Sequence, residues 1–305
     1  NQGYTPNDTV TDEPLTINIP GSGPWSPENY DRKFRGPVTL TQALENSLNI
    51  PAVKVSEGVG RDTVREIAEG FGIDSDLAAG PSLALGVSES TLIEMTGAYA
   101  GILNGGSAVE PYGILELRMQ GDDEVLIGQD GGLGDRVISQ DAAEQLVYMM
   151  NKVIEEGTGT RARLGDRPAA GKTGTTQAAR DAWFLGFTAD YVGGVWMGYD
   201  DNTPLTGVTG GGLPAEIWHE VMTRVHEGLP VHPLPMRTPA PAAVQTADTQ
   251  GESVPVYDGT VPEYDGTVAR SENDRLIGRV PEQQGSGNVA EQIINDVLGT
   301  IFGRN

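Results

Sequence analysis

The chain has 305 residues and a mass of 32.2 kDa, enough for one large domain or two ordinary ones. Its 20 Lys and Arg residues against 43 Asp and Glu residues give a formal net charge of −23. This balance disfavours a nucleic-acid partner and docking on anionic lipid, since both require a basic face. The sequence contains no cysteine, which excludes a disulfide, a thiolate nucleophile and a cysteine zinc site.

Residues 1–36 contain few periodic apolar positions and several turn signals, which predicts loops and short extended pieces. Beyond them, helix starts are indicated where a Ser, Thr or Asp precedes apolar residues at helical spacing. These starts are Thr39, Asp62, Thr91 and Ser139. Thr39 and Thr91 are each followed three positions later by Gln or Glu, the capping-box pattern. The helix that begins at Thr39 is predicted to run towards Asn49, and the one at Asp62 to end at Gly72.

After the helix that begins at Ser139, the apolar period changes from that of helices to that of strands. Three strands separated by short polar turns are predicted over 169–176, 182–188 and 192–199. A last amphipathic helix follows, with Ile217, Trp218, Val221, Met222 and Val225 on one face. A helical block, a meander of strands and a closing helix together indicate an α+β fold.

The composition changes after residue 229. Five prolines lie between positions 230 and 241, and a polar, acidic stretch follows. This composition predicts a Pro-rich acidic disordered linker over 230–288. The last residues, 289–305, carry apolar side chains at helical spacing and are predicted to form a short amphipathic helix. The folded domain is therefore expected within residues 1–229.

The most informative local motif is Gly171-Lys172-Thr173-Gly174-Thr175-Thr176, on the first predicted strand. Lys172 supplies a positive charge, the threonine hydroxyls can donate hydrogen bonds, and Gly174 lets a ligand approach the backbone. This combination indicates a carboxylate-binding site. A phosphate loop of the Walker type is the alternative, but it requires a glycine where Asp166 stands.

A second motif, Ser47-Leu48-Asn49, lies at the end of the first predicted helix. A Ser and an Asn two positions apart can both point into one cleft. On its own the motif is uninformative, because Ser-x-Asn is common at helix ends. It gains significance only when it is combined with the lysine motif downstream.

In this order, Ser-x-Asn and Lys-Thr-Gly resemble the second and third signatures of penicillin-recognising enzymes with an active-site serine, whose first signature is Ser-x-x-Lys. Longer segments resemble bifunctional (class A) penicillin-binding proteins. They are 34–56, Arg180-Asp-Ala-Trp-Phe184, Val195-Trp-Met-Gly-Tyr-Asp-Asp-Asn202, Thr209-Gly-Gly211 and Glu156-Gly-Thr-Gly159. The resemblance covers about residues 1–229. It implies a β-lactamase and penicillin-binding-protein transpeptidase-like fold, an antiparallel sheet of five strands flanked by helices.

One departure from the family pattern concerns the nucleophile. The four lysines, Lys33, Lys54, Lys152 and Lys172, have Tyr, Pro, Met and Ala three positions before them, so no Ser-x-x-Lys occurs. The first residues, Asn1-Gln-Gly-Tyr-Thr-Pro, resemble the family segment that follows this motif. The expected domain is therefore N-terminally incomplete, with about three of the five strands. We expect the isolated chain to be poorly stable and not to form a covalent adduct with penicillin.

The resemblance implies a DD-transpeptidase that cross-links peptidoglycan. The resemblance implies that Ser47 relays a proton and that Asn49 hydrogen-bonds the donor peptide. It also implies that Lys172 holds the second motif and attracts the substrate carboxylate. Thr173 and Thr175 are implied to bind that carboxylate, with the backbone N–H of Thr175 completing an oxyanion hole. Further substrate-binding candidates are Gly174, Thr176 and Thr209-Gly210-Gly211.

The implied ligands are peptidoglycan stem peptides and β-lactams, and the implied partners are cell-wall elongation or division proteins. A glycosyltransferase domain and a membrane anchor would precede this part of a bifunctional enzyme at the periplasmic face of the bacterial inner membrane. Two alternatives stay open. One is a non-catalytic remnant that binds muropeptide or a partner, and the other is a DD-carboxypeptidase or β-lactamase-like hydrolase.

No cofactor and no metal site are expected. The three histidines, His219, His226 and His232, all lie late in the chain and are predicted to be solvated rather than part of a catalytic triad or zinc site. Arg180, Asp181 and Trp183 are expected to hold a strand pair together rather than touch substrate. The aromatic residues Tyr112, Trp196 and Trp218 are expected in the core.

Overall fold

A computed structural model describes residues 3–121, 124–129 and 132–239 of the chain. Four short strands form its first part, as the turn signals predicted. They are β1 (Thr9–Asp12), β2 (Ile17–Ile19), β3 (Gly23–Trp25) and β4 (Gly36–Thr39). Strand β1 pairs antiparallel with β4, and β2 pairs antiparallel with β3.

Six α-helices lie in the described residues. They are α1 (Leu40–Glu45), α2 (Asn49–Val59), α3 (Arg61–Gly70), α4 (Leu92–Leu103), α5 (Gln140–Glu155) and α6 (Leu213–Val225). The capping boxes at Thr39 and Thr91 are confirmed, since each threonine hydroxyl accepts a backbone N–H and its Gln or Glu partner accepts in return. Among the described residues, no helix is both long and apolar enough to cross a membrane.

Two predictions about helix boundaries are wrong. The first helix ends at Glu45, and a separate helix, α2, begins at Asn49. The break lies at Ser47, whose φ of 53° is left-handed and cannot continue a helix. Pro51 stands in the first turn of α2, where its missing N–H removes no helical hydrogen bond. Helix α3 is capped by Gly60, and Asp62 lies in its first turn.

The predicted meander of three strands is confirmed. Strands β7 (Ala170–Thr175), β8 (Asp181–Phe187) and β9 (Val192–Gly198) form one antiparallel sheet in the order β7-β8-β9. Lys172 pairs with Leu185 in its register. The sequence did not predict the hairpin of β5 (Glu116–Arg118) and β6 (Val125–Gly128), two short strands with mostly exposed residues.

Helices cover both faces of this sheet, as expected for the α+β fold. Phe184 and Phe187 stand three positions apart on β8, so their side chains point to opposite faces. Phe184 packs against Trp218 of α6 with ring centroids 5.3 Å apart. Phe187 packs with Val147 of α5 in a cluster that Tyr99 of α4 also contacts. The sheet is thereby held between α6 on one side and α4 and α5 on the other.

The aromatic predictions are partly wrong. Trp218 is in the core as expected, with 1% of its surface exposed, and its indole N–H donates to the Gly193 carbonyl at 3.1 Å. Trp196 and Tyr112 are 39% and 48% exposed. The Trp196 indole instead donates to Asp181 at 3.0 Å on the sheet surface, which satisfies its N–H without burial.

His226 also differs from expectation, because it is buried rather than solvated. Its ring lies 2.9 Å from the Thr188 hydroxyl and 2.6 Å from the Met222 carbonyl. The residue immediately follows α6, where the chain turns back onto the end of β8. Helical spacing alone could not indicate that this turn is covered.

The first ten residues after position 229 lie against the domain. Leu234 is buried against the cluster around Val147, the Arg237 backbone N–H donates to the Glu144 carbonyl at 3.1 Å, and Arg237 forms an ion pair with Asp141. The rest of the predicted linker and the helix predicted over 289–305 lie outside the described residues. The division into 1–229, 230–288 and 289–305 therefore stays a prediction.

Candidate active site

The two sequence motifs meet in the tertiary structure. The ammonium of Lys172, on β7, donates to the Ser47 hydroxyl at 2.7 Å, although 125 positions separate the two residues. It also donates to the Thr173 carbonyl at 2.8 Å. Both side chains are half-buried. A lysine and a serine in direct contact can exchange a proton or jointly hold an anionic group.

The connection between α1 and α2 presents Ser47 to the lysine. Its left-handed φ reverses the chain, and the Leu48 backbone N–H closes the turn on the Ala43 carbonyl at 2.9 Å. The loop after α5 braces this turn, because the Thr158 N–H donates to the Glu45 carbonyl at 3.1 Å. Gly157 lies so close to that carbonyl that a side chain there would overlap it. Ser47 is therefore held from two sides.

The environment of Lys172 changes its acidity. Burial removes water from the ammonium and lowers its pKa to about 8, below the ordinary lysine value of 10.5. The side chain is thus still mostly protonated at neutral pH, but it gives up its proton far more readily than a solvated lysine.

The threonines of β7 have different surroundings. Thr173 is buried, and its hydroxyl lies 2.8 Å from that of Thr158. Thr175 is exposed, and its hydroxyl accepts the Gly210 N–H at 3.0 Å. Gly210 lies against the backbone of Gly174, where a Cβ would overlap it. The loop before α6 therefore crosses β7 directly beside the lysine motif.

Comparison with known proteins agrees with this arrangement. The family model described as "Penicillin binding protein transpeptidase domain" matches residues 1–223. The chain belongs to this transpeptidase family.

Among curated relatives of this transpeptidase domain, penicillin-binding protein 1A of Rickettsia bellii is 32% identical over 272 residues, covering 81% of this chain and 34% of the relative. Penicillin-binding protein 1A of Aquifex aeolicus is 38% identical over 199 residues, covering 65% of this chain and 27% of the relative. The chain thus spans only 27–34% of the length of these two curated relatives.

Solved structures show the same fold. The crystal structure of penicillin-binding protein 1A from Haemophilus influenzae matches with a TM-score of 0.68 and 28% identity, over 76% of this chain and 41% of that one. PonA1 from Mycobacterium tuberculosis, solved in complex with penicillin V, matches with a TM-score of 0.69 and 25% identity. That match covers 78% of this chain and 68% of that one.

The other predicted site residues of the transpeptidase domain contact its framework. The Asn49 side chain donates to the Glu28 carbonyl at 2.6 Å. Thr176 stabilises the β7–β8 hairpin, since its hydroxyl accepts the Asp181 N–H at 2.8 Å and its own N–H donates to the Asp181 carbonyl. Substrate-binding roles for these residues stay predictions. The expected bracing role of Arg180 and Asp181 agrees with their bonds to Asn202 and Trp196.

Sequence analysis did not assign roles to Thr158 or Asn29, although both touch the motif residues. Thr158 belongs to the Glu156-Gly-Thr-Gly159 segment that resembles the family, and this resemblance was the available signal. Asn29 accepts the Asn49 backbone N–H at 2.9 Å from twenty positions away. No local pattern indicates such a contact.

Proposed function

We propose that this chain forms the substrate cleft of a DD-transpeptidase that cross-links peptidoglycan as part of a bifunctional glycosyltransferase and transpeptidase. The contact of 2.7 Å between Lys172 Nζ and Ser47 Oγ supports this proposal most directly. It joins two of the three signatures expected of a penicillin-recognising serine enzyme. The family membership and the fold give independent support.

In the proposed reaction, a serine oxygen attacks the carbonyl of the penultimate D-Ala of a stem peptide. The terminal D-Ala leaves with the serine proton, and an acyl-enzyme ester remains. An amine of a neighbouring stem peptide then attacks the ester, forms the new amide and returns a proton to the serine. A β-lactam would react at the first step and stay attached as the ester.

Each residue of the cleft would have its own role in the reaction. Ser47 would pass the proton between the catalytic base and the leaving or entering amine, while Lys172 orients Ser47 and attracts the substrate carboxylate. Thr173 and Thr175 would bind that carboxylate, and the Thr175 N–H would stabilise the oxyanion. The local positive charge of Lys172 is important because the chain as a whole carries −23 and repels anions.

The 305 residues contain no Ser-x-x-Lys, so the nucleophilic serine and lysine base that this mechanism requires are not among them. We therefore propose that another segment of the natural polypeptide supplies the serine and its lysine base. By the same proposal, the enzyme works at the periplasmic face of the inner membrane, with elongation or division proteins as partners.

The missing Ser-x-x-Lys favours one second candidate, a non-catalytic domain that binds muropeptide or a protein partner. The two candidates differ in covalent chemistry. A binding domain would retain muropeptide reversibly without an adduct, whereas a transpeptidase forms an ester. A DD-carboxypeptidase or β-lactamase-like hydrolase would form the ester but transfer it to water.

The experiment is labelling of the natural polypeptide that contains these residues with a fluorescent penicillin, followed by intact mass measurement. We expect a covalent adduct that Lys172→Met reduces by a factor of about 100, the scale of a lost electrostatic contact in an active site. Lys33→Met, at an exposed lysine, is the matched control and should label normally. A folded natural polypeptide that binds muropeptide but never forms an adduct would overturn the transpeptidase proposal.

A further inference from the structure

A buried polar pair lies beneath the N-terminal strands. Asp12, fully buried at the end of β1, accepts two contacts of 2.9 Å from the side-chain NH₂ of Asn29, one at each carboxylate oxygen. The Arg35 backbone N–H also donates to Asp12, at 3.0 Å. Asn29 is 3% exposed and donates to the Lys33 carbonyl as well, at 2.8 Å. A buried carboxylate is costly unless it is bonded in this way, so the pair has a defined geometry.

The other end of the Asn29 amide meets the start of α2. Its oxygen accepts the backbone N–H of Asn49 at 2.9 Å and lies 3.5 Å from that of Ile50. The first N–H groups of a helix have no partner within the helix, and α2 has an apolar N-cap, Leu48, that offers no side-chain acceptor. Asn29 thus supplies from twenty positions away the cap that the local sequence lacks.

Two further hydrogen bonds join α2 to the residues before β4. The Asn49 side chain donates to the Glu28 carbonyl at 2.6 Å, and Lys54, one helical turn further along, donates to the Thr11 carbonyl at 2.9 Å. Since Ser47 lies two positions before α2 begins, its position follows from where α2 starts. The loop after α5 holds the other side of the turn at Glu45.

We propose that Asn29, oriented by Asp12, is a positioning residue that holds the start of α2 and so keeps Ser47 within hydrogen-bond reach of Lys172. Its importance for catalysis rests on the proposed transpeptidase function. Its anchoring of α2 does not. The two parts are therefore tested by different measurements on the natural polypeptide.

Hydrogen exchange tests the anchoring. Asn29→Ala should reduce the protection of the amides in residues 47–53 by a factor of about five, the effect of losing one helix cap. The amides of α6 serve as an internal reference for global unfolding. Asn18→Ala, at an exposed asparagine on β2, is the matched control and should leave both segments unchanged. Unchanged protection of 47–53 in Asn29→Ala would overturn the proposal.

Swapping the side chains of Asn29 and Asp12 tests the contact between these two residues. Asn29→Asp places two carboxylates in contact, and we expect it to loosen α2 more than Asn29→Ala does. Combining it with Asp12→Asn restores an amide-to-carboxylate bond in the reverse direction but not the bond to the Lys33 carbonyl, so it should recover part of the protection. A double variant no better than Asn29→Asp would show that the contact between the two positions does not hold α2.

Penicillin labelling tests the link to the reaction. We expect Asn29→Ala to lower the labelling rate about tenfold, and the double variant to label faster than Asn29→Asp alone. Thr188→Val, a destabilising change at a residue bonded to His226 rather than to α2, separates loss of stability from loss of positioning and should label at the wild-type rate. Normal labelling of Asn29→Ala despite faster exchange would overturn the positioning role. Absence of labelling in every variant and in the wild type would instead refute the proposed function. The hydrogen-exchange measurement would still decide whether Asn29 anchors α2.

Discussion

The Lys172 ammonium is held by two neutral oxygens, the Ser47 hydroxyl at 2.7 Å and the Thr173 carbonyl at 2.8 Å. These bonds replace part of the lost hydration of the charge but do not neutralise it, so burial still lowers the pKa to about 8. A carboxylate bound beside Thr175 would supply the compensating negative charge. Under the proposed function, that carboxylate would balance the charge that the two neutral oxygens leave uncompensated.

The first prediction concerns the pH dependence of ligand capture. Lys172 loses its proton as pH rises through about 8, so the penicillin labelling rate of the natural polypeptide should fall in that range. The rate is measured from pH 6 to 10, with Lys172→Arg as the comparison, because an arginine keeps its charge throughout. An identical alkaline fall in the arginine variant would contradict the assignment to Lys172.

The same pKa shift predicts that the stability contribution of Lys172, unlike the labelling rate, increases as the pH rises. The folded state binds the Lys172 proton less tightly than the unfolded chain, whose lysine titrates near 10.5. Between about pH 8 and 10.5 the unfolded state therefore binds more protons, and the contribution of this lysine to the free energy of unfolding rises with pH. Urea unfolding of wild type and Lys172→Met at several pH values isolates this contribution as the difference between the two. A difference that does not vary between pH 8 and 10.5 would refute it.

The effect of the Ser47 hydroxyl on labelling can be measured separately from the effect of its left-handed backbone on stability. Ser47→Ala and Ser47→Gly both remove the hydroxyl and should lower penicillin labelling by a factor of about 100, the scale of a lost proton relay. Because the φ of 53° is unfavourable for alanine but not for glycine, Ser47→Gly should be about 1 kcal/mol more stable than Ser47→Ala. Labelling rates and urea unfolding measure the two effects. Full labelling of either variant would exclude a proton-relay role.

A buried hydrogen bond at the end of β8 should be important for stability alone. The Met222 carbonyl can only accept, so His226 Nδ1 donates to it. The Thr188 oxygen already accepts the N–H groups of Asp190 and Tyr191, so its hydroxyl proton is directed to His226 Nε2. Thr188→Val removes the Thr188 partner of this nitrogen and of the two N–H groups, and should cost about 2 kcal/mol. Thermal unfolding compares it with Thr206→Val, at an exposed threonine, which should be neutral. Equal stability of the two variants would show that the bond contributes nothing.

The close approach of Gly210 to β7 predicts sensitivity to a single methyl group. A Cβ at position 210 would overlap the backbone of Gly174 and the Trp183 carbonyl, so Gly210→Ala must displace the loop from the lysine motif. We expect a loss of about 1–3 kcal/mol and slower penicillin labelling. Gly113→Ala is the control, since a Cβ there meets no atom within 4 Å. If Gly210→Ala matched this control in stability and labelling, the loop would not support the site.

Local hydrogen bonds explain which elements could be predicted from sequence. The caps at Thr39 and Thr91 bond residues three positions away, and strands β7, β8 and β9 follow one another with only short connections between them. Both signals lie within a few residues of the element they specify. The hairpin of β5 and β6 escaped prediction because its strands have only three and four residues, most of them exposed, and so carry little apolar pattern.

The residue types of the site were likewise readable from sequence. The chain by itself determined that a lysine, two threonines and a Ser-x-Asn are available, and its order of motifs indicated the family. Only the tertiary structure decided that Lys172 reaches Ser47, that Asn29 caps α2 and that His226 is buried. These contacts join residues from twenty to 125 positions apart, so they depend on how the packed elements meet rather than on any local preference.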